Sequence, residues 1–206
     1  MNFHALAADL GWSAVGVGLI GTTVQWRRVV DLGVEGVSLA TWLLFVYMGC
    51  FWISYGVGAH SWAVIMGSLI VLPLQLAILV RLRPWRHGAT VWWALSFFAA
   101  TCVAPTFFWG WAGGIYGTGV AMTLTRAPQL LELVRYRDAS GVSTGSWVLG
   151  AVGSVLWVSF YDGAHLWAPL VATSVAGLGN VLIAGLAAWR HAQSRRDLIR
   201  DEIFAV

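Results

Sequence analysis

Apolar residues run through the chain in long blocks separated by short polar gaps. A bilayer-spanning helix needs about 20 mostly apolar residues. Seven stretches meet that need: 6–30, 38–57, 60–81, 89–109, 112–136, 145–162 and 165–189. The gaps between them are too short to hold an inserted soluble domain. The pattern predicts an all-α membrane protein with seven transmembrane helices. The first block has no basic leader and is followed by Arg27-Arg28, which predicts a retained helix rather than a cleaved signal. The stretch 191–206 is charged and is expected to form a frayed helix on the inner surface.

The blocks repeat. Gly36-Val37-Ser38 recurs as Gly141-Val142-Ser143, an offset of 105. Trp42 and Trp147, Trp52 and Trp157, Ser54 and Ser159, and Gly58-Ala59-His60 and Gly163-Ala164-His165 keep the same offset of 105. Upstream, Gln25 matches Gln129 at 104, so one residue was gained or lost in the loop. So many matches on one diagonal mark a duplication. Each repeat holds three helices, and helix 4 lies between them. It restores the orientation of the second unit, so the halves are expected to be parallel, related by an axis along the membrane normal. The expected division is 1–83 for the first triple-helix repeat, 84–111 for the linker helix, 112–190 for the second repeat and 191–206 for the tail.

Composition agrees with the pattern. Of 206 residues 59% are hydrophobic and 10% charged, too apolar for a soluble domain of this size. A nucleic-acid binder would need a basic face on a soluble module, and none is encoded. The twelve cations are all Arg, and they fall after helices 1, 3, 5 and 7 or near the end of helix 5. The opposite loops carry none. By the positive-inside rule the amino terminus is outside and the carboxy terminus cytoplasmic. Cys50 and Cys102 both lie in apolar runs, so no disulfide framework is indicated. Gly16-Val17-Gly18-Leu19-Ile20-Gly21 fits a dinucleotide fingerprint as a string but sits inside a spanning block. Close helix packing through small residues is the better account, also for Gly113, Gly114, Gly117, Gly119, Gly150 and Gly153.

Several polar and aromatic positions could carry chemistry. Pro128-Gln129 lies near the inner end of helix 5, where proline removes a backbone donor and bends the helix. Gln25 recurs in repeat 1 with Val24 in place of the proline. Gln25, Pro128 and Gln129 are candidate hinges. Trp52 is 14 residues past Ser38, about 21 Å along a helix in a core of about 30 Å. Depth alone leaves pocket and interfacial belt equally open for Trp52 and Trp157. Belt candidates are Trp12, Trp62, Trp109, Trp111 and Trp167 outside, and Trp26, Trp42, Trp85 and Trp189 inside. Gln75 and Asn180 occupy matching places on helices 3 and 7, either bracing the bundles or lining an inner vestibule. His60 and His165 match but sit in outer loops, a weak basis for a metal site. Asp162 falls at an outer end, and Arg126 is expected to snorkel to water. No Ser-His-Asp set, metal-ligand cluster or phosphate-cradling loop is present, so no enzyme activity, cofactor or metal is expected.

The proline-glutamine step, the loop ending in Gly-Val-Ser and the aromatic helix closing on Phe51-Trp52 or Leu156-Trp157 and Tyr55-Gly56 resemble the PQ-loop superfamily. The three-plus-one-plus-three plan is similar to its SWEET sugar-transporter branch, which looks like two SemiSWEET units joined by a linker. The resemblance covers nearly all of residues 6–189. It implies that Trp52 and Trp157 stack on a sugar, each followed by an aromatic, Tyr55 and Phe160 or Tyr161. The family places an asparagine on the following helix. Here that place holds Ser68 in repeat 1 and Thr173, or Ser174, in repeat 2, a departure in both halves. Ser54, Ser159, Ser68 and Thr173 or Ser174 would then bond solute hydroxyls. The implied function is facilitative, alternating-access transport of a small neutral solute, a mono- or disaccharide, across the plasma membrane. The lipid bilayer is the other partner, with a homo-oligomer left open. The alternatives are a proton-coupled amino-acid exporter of the cystinosin kind and a non-transporting receptor or assembly protein of the same fold. The first would place an aspartate after the second loop, where this chain has Leu149-Gly150.

Overall fold

The computed structural model describes residues 3–34, 37–136 and 143–204, with the side chains of 3–6, 32, 127–129, 132, 136 and 197–204 left aside. Every element among the described residues is helical: α1 (Phe3–Leu32), α2 (Leu39–Gly58), α3 (Trp62–Leu69), α4 (Leu72–Arg81), α5 (Gly88–Phe98), α6 (Ala104–Leu131), α7 (Thr144–Gly163) and α8 (Trp167–Phe204). Among the described residues six stretches are long and apolar enough to cross a membrane. Their outer faces are apolar as well: Phe107 is 84% exposed and Trp92 69%. In water such a surface would drive association; in lipid it is the ordinary condition.

The longest of the six, Gly88–Arg126, has 39 residues. As one helix it would run about 58 Å, roughly twice the hydrocarbon core. Instead the backbone leaves helical geometry at Trp109 (φ −127°, ψ 15°) and Gly110 (φ 67°, ψ −166°). The second conformation is open to glycine and strained for other residues. Beyond it the chain folds back on itself. A Cβ at Gly113 would lie 2.5 Å from the Pro105 carbonyl oxygen, and Gly114 and Gly117 sit against Thr106, Cys102 and the Thr101 carbonyl. Pro105 leaves that Thr101 carbonyl without its helical donor, and a five-residue π turn, Ala99–Val103, precedes it. Two helices, 88–109 and 110–131, therefore stand where the apolar pattern has 89–109 and 112–136.

The stretch expected as one helix over 60–81 is one candidate span, Trp62–Arg81, whose regular bonding is interrupted at Ile70 and Val71. Pro73 stands near the start of α4, lacks the N–H that would reach the Leu69 carbonyl, and crowds that carbonyl. The helix therefore stops at Leu69 and restarts at Leu72. The expected separation of helix 7 from its tail is not seen, since α8 runs unbroken for 38 residues.

The α3–α4 pair packs on both α1 and α2; α8 packs on both α6 and α7. In each trio the last helix touches the other two. The trios meet through α1 and α7, and α5 lies on α2. Small residues permit the central contact: a Cβ at Gly11 would lie 2.8 Å from the Phe160 ring, and one at Gly163 2.6 Å from Ala7. Gly119, Gly150 and Gly153 likewise face Ala172, Asn180 and Val17. Gly16, Gly18 and Gly21, expected to serve the same end, meet nothing within 4 Å.

Candidate functional site

Both repeat motifs flanking the aromatic helices prove to be caps. Ser38 Oγ accepts from the Thr41 N–H at 3.3 Å, and Ser143 Oγ accepts from the Ser146 N–H at 3.3 Å. Each serine satisfies a free donor at a helix start. Gly36, Gly141 and Val142 lie outside the described residues. At the other end, His60 (φ 51°) and His165 (φ 56°) are left-handed. The following amides close the turn, Ser61 N–H to the Gly56 carbonyl at 2.9 Å and Leu166 N–H to the Tyr161 carbonyl at 2.8 Å. This is a six-to-one helix-closing bond, with histidine where glycine is usual. The matched histidines thus repeat because the helices end in the same way.

Between these caps, α2 and α7 carry Trp52 and Trp157 inward. The Trp52 and Tyr161 rings stack at 6.3 Å with planes 15° apart, and the Trp157 and Tyr161 rings at 5.4 Å and 19°. One tyrosine therefore joins the paired tryptophans of the two repeats. Tyr161 is buried, with Phe51, Tyr55, Phe160 and Cys102 in the same cluster. The position matching Tyr161 in the first repeat is Gly56, where a Cβ would lie 2.9 Å from the Ile65 amide nitrogen. The far edge of the Trp157 indole rests on Gly67, where a Cβ would lie 2.7 Å from the ring. By contrast Trp62 and Trp167, also matched at 105, are 71% and 61% exposed. The exposed and the interior tryptophans are thus different pairs. Spacing could not show the Tyr161 bridge, since Trp52 and Tyr161 are far apart in the chain.

The other candidate residues lie differently. Ser54 Oγ donates to the Cys50 carbonyl at 3.0 Å and Ser159 Oγ to the Val155 carbonyl at 2.9 Å, each within its own helix. Two residues from their tryptophans, they point away from them. Ser68 follows Gly67 and is half-buried; Thr173 and Ser174 are half-buried beside Ala172, which packs in the aromatic cluster. Gln25 is half-buried on α1. The α6 backbone continues through Pro128 and Gln129 to a π turn at Glu132–Tyr136, and their side chains lie outside those described.

The matched amides differ in their surroundings. Gln75 Oε1 is buried with no hydrogen-bond partner among the described residues, facing Gly49 at 3.6 Å from its Cβ position. Asn180, 5% exposed, accepts from Arg126 Nε at 2.8 Å and donates through Nδ2 to Ser154 Oγ at 3.1 Å. Ser154 occupies the place of Gly49 in the repeat, so the second half has a partner that the first lacks. Arg126 does not snorkel as the pattern predicts; it turns into the bundle, where Asn180 supplies an acceptor. A groove of about 560 Å³ between α7 and α8 is lined by Val148, Val152, Val155, Val181 and Ala184, with Thr144 also on its wall. Apart from Thr144 its lining is apolar. Comparison with family models, with characterised proteins and with solved structures finds no match for this chain.

Proposed function

We propose that the chain is a facilitative carrier of the PQ-loop, SWEET-like kind, moving a small neutral solute, a mono- or disaccharide, by alternating access. Its seven helices form two parallel trios joined by helix 4, with the amino terminus outside the plasma membrane and the carboxy terminus in the cytoplasm. The observation that carries this reading is the pair of repeat-related indoles, Trp52 and Trp157, meeting on one ring. A repeat protein with a single site at the junction of its halves would place matched groups there. Indole faces suit the C–H faces of a pyranose, and Ser68 with Thr173 or Ser174 lies close in sequence to residues of that cluster. Tyr161 occupies the stacking surface, so solute entry displaces its ring. The trios rock about this layer, with the Gln25 and Pro128-Gln129 segments as hinges.

The test is uptake of radiolabelled glucose and sucrose into proteoliposomes. Saturable uptake above protein-free vesicles, reduced in Trp52→Ala and Trp157→Ala, is the expected result. Uptake no faster than in empty vesicles for both sugars would sink the sugar assignment.

A further inference from the structure

Arg126 stands 16 residues beyond the turn at Gly110, about 24 Å along its helix and so in the inner third of a core of about 30 Å. Its guanidinium does not reach outward. Nε donates to Asn180 Oδ1 at 2.8 Å, and Nη1 donates to the Met122 carbonyl at 2.5 Å. Its centre lies 5.9 Å from the Trp147 ring, in the first turns of α7, and a Cβ at Gly179 would lie 3.0 Å from its Cδ. Asn180 is anchored in turn by Ser154, whose Oγ donates to the Gly150 carbonyl at 2.9 Å. The cation is thus held in one orientation by three helices, and among the described residues it forms no ion pair.

A guanidinium has five N–H donors, of which two are engaged among the described residues. The remaining three can meet a carboxylate or phosphate in a two-pronged contact. Among the described residues no carboxylate faces it, and ionisable groups at such depth tend to be functional. The positive end of the α7 dipole adds to the same field.

We propose that Arg126, positioned by Asn180 and Ser154, is an anion-binding site at the inner end of the second trio, taking a carboxylate or phosphate group. That group can arrive on a soluble anion or as the headgroup of an inner-leaflet lipid. The site is separate from the aromatic layer and does not depend on which solute that layer carries.

The experiment measures thermal unfolding of the full chain in a neutral maltoside detergent, titrated with acetate or phosphate against chloride at constant ionic strength. A second arm uses phosphatidylcholine vesicles with and without phosphatidylglycerol. A saturable rise in unfolding temperature with acetate or phosphate assigns the site to soluble anions. A rise only with phosphatidylglycerol assigns it to lipid. Either response is expected to vanish in Arg126→Gln, and to need about tenfold more anion in Arg126→Lys, which keeps the charge but loses the fork. Asn180→Ser, which frees the guanidinium, is expected to weaken the response and covers the case in which Arg126→Gln does not fold. A flat response in the parent in both arms, or the same response in Arg126→Gln, overturns the proposal and leaves Arg126 as a brace between α6 and α8.

Discussion

At the scale of single residues, the aromatic layer makes opposite demands on its members. Trp52 and Trp157 each offer one face to Tyr161. An aromatic stacking contact is worth about 0.5–1.5 kcal/mol beyond area burial. If a solute ring takes that face, Trp52→Ala and Trp157→Ala are expected to weaken its binding by about three- to tenfold. Trp62→Ala and Trp167→Ala, on exposed side chains, are expected to leave affinity unchanged. Tyr161→Ala removes the competitor, so it is expected to tighten solute binding by a similar factor while lowering the unfolding temperature. Binding isotherms on the five variants, normalised to folded protein, decide this. Weaker binding in Tyr161→Ala would make Tyr161 part of the solute's contact surface and refute the displacement idea.

At the scale of elements, the helix ends and breaks carry the argument. Gly110 holds φ 67° and ψ −166° at the reversal between two helices. Such a conformation costs about 1–3 kcal/mol for a residue with a Cβ. Gly110→Ala is therefore expected to lower stability by about that amount, measured as the denaturant midpoint in mixed micelles. Gly117→Val should do at least as much, since the Thr101 carbonyl rests on Gly117 and overpacking costs about 1–3 kcal/mol. An unchanged midpoint in both variants would show that the reversal does not depend on close backbone approach. The histidine caps predict the other sign. His60 and His165 are left-handed at φ 51° and 56°, a state costing side chains about 1–2 kcal/mol. His60→Gly and His165→Gly are expected to be neutral or stabilising by up to about 1 kcal/mol, and His60→Val destabilising. Loss of stability in both glycine variants would mean that the imidazoles have a role beyond the turn.

At the scale of the whole molecule, the arginine pattern predicts the orientation. The cations cluster at alternate helix ends, and translocated loops rarely carry them. Reporter fusions at each terminus are expected to be active outside for the amino end and in the cytoplasm for the carboxy end. An amino terminus in the cytoplasm would require an even number of crossings and would refute the reading of 88–109 and 110–131 as separate spans. The trios touch chiefly through α1 and α7, over Gly11, Gly163 and Ala7. That seam lies beside the Trp157–Phe160–Tyr161 cluster, since Phe160 packs on Gly11.

The sequence by itself determined the helical class, the apolar spans and the internal duplication, because each is written in local composition or in a fixed spacing. It also located the serines at helix starts and the histidines at helix ends, though not their capping role. That role depends on which donors and carbonyls a helix end leaves open. The break at Pro73 was legible in principle, as a proline within an apolar block. Other features were decided only by tertiary structure. Tyr161 reaches Trp52 across more than a hundred residues, and the matching position in the first repeat is a glycine. Arg126 turns inward because Asn180, 54 residues on, offers an acceptor inside the bundle. Whether a buried polar group points to water or to a partner depends on what stands opposite, and a one-dimensional pattern carries no record of opposites.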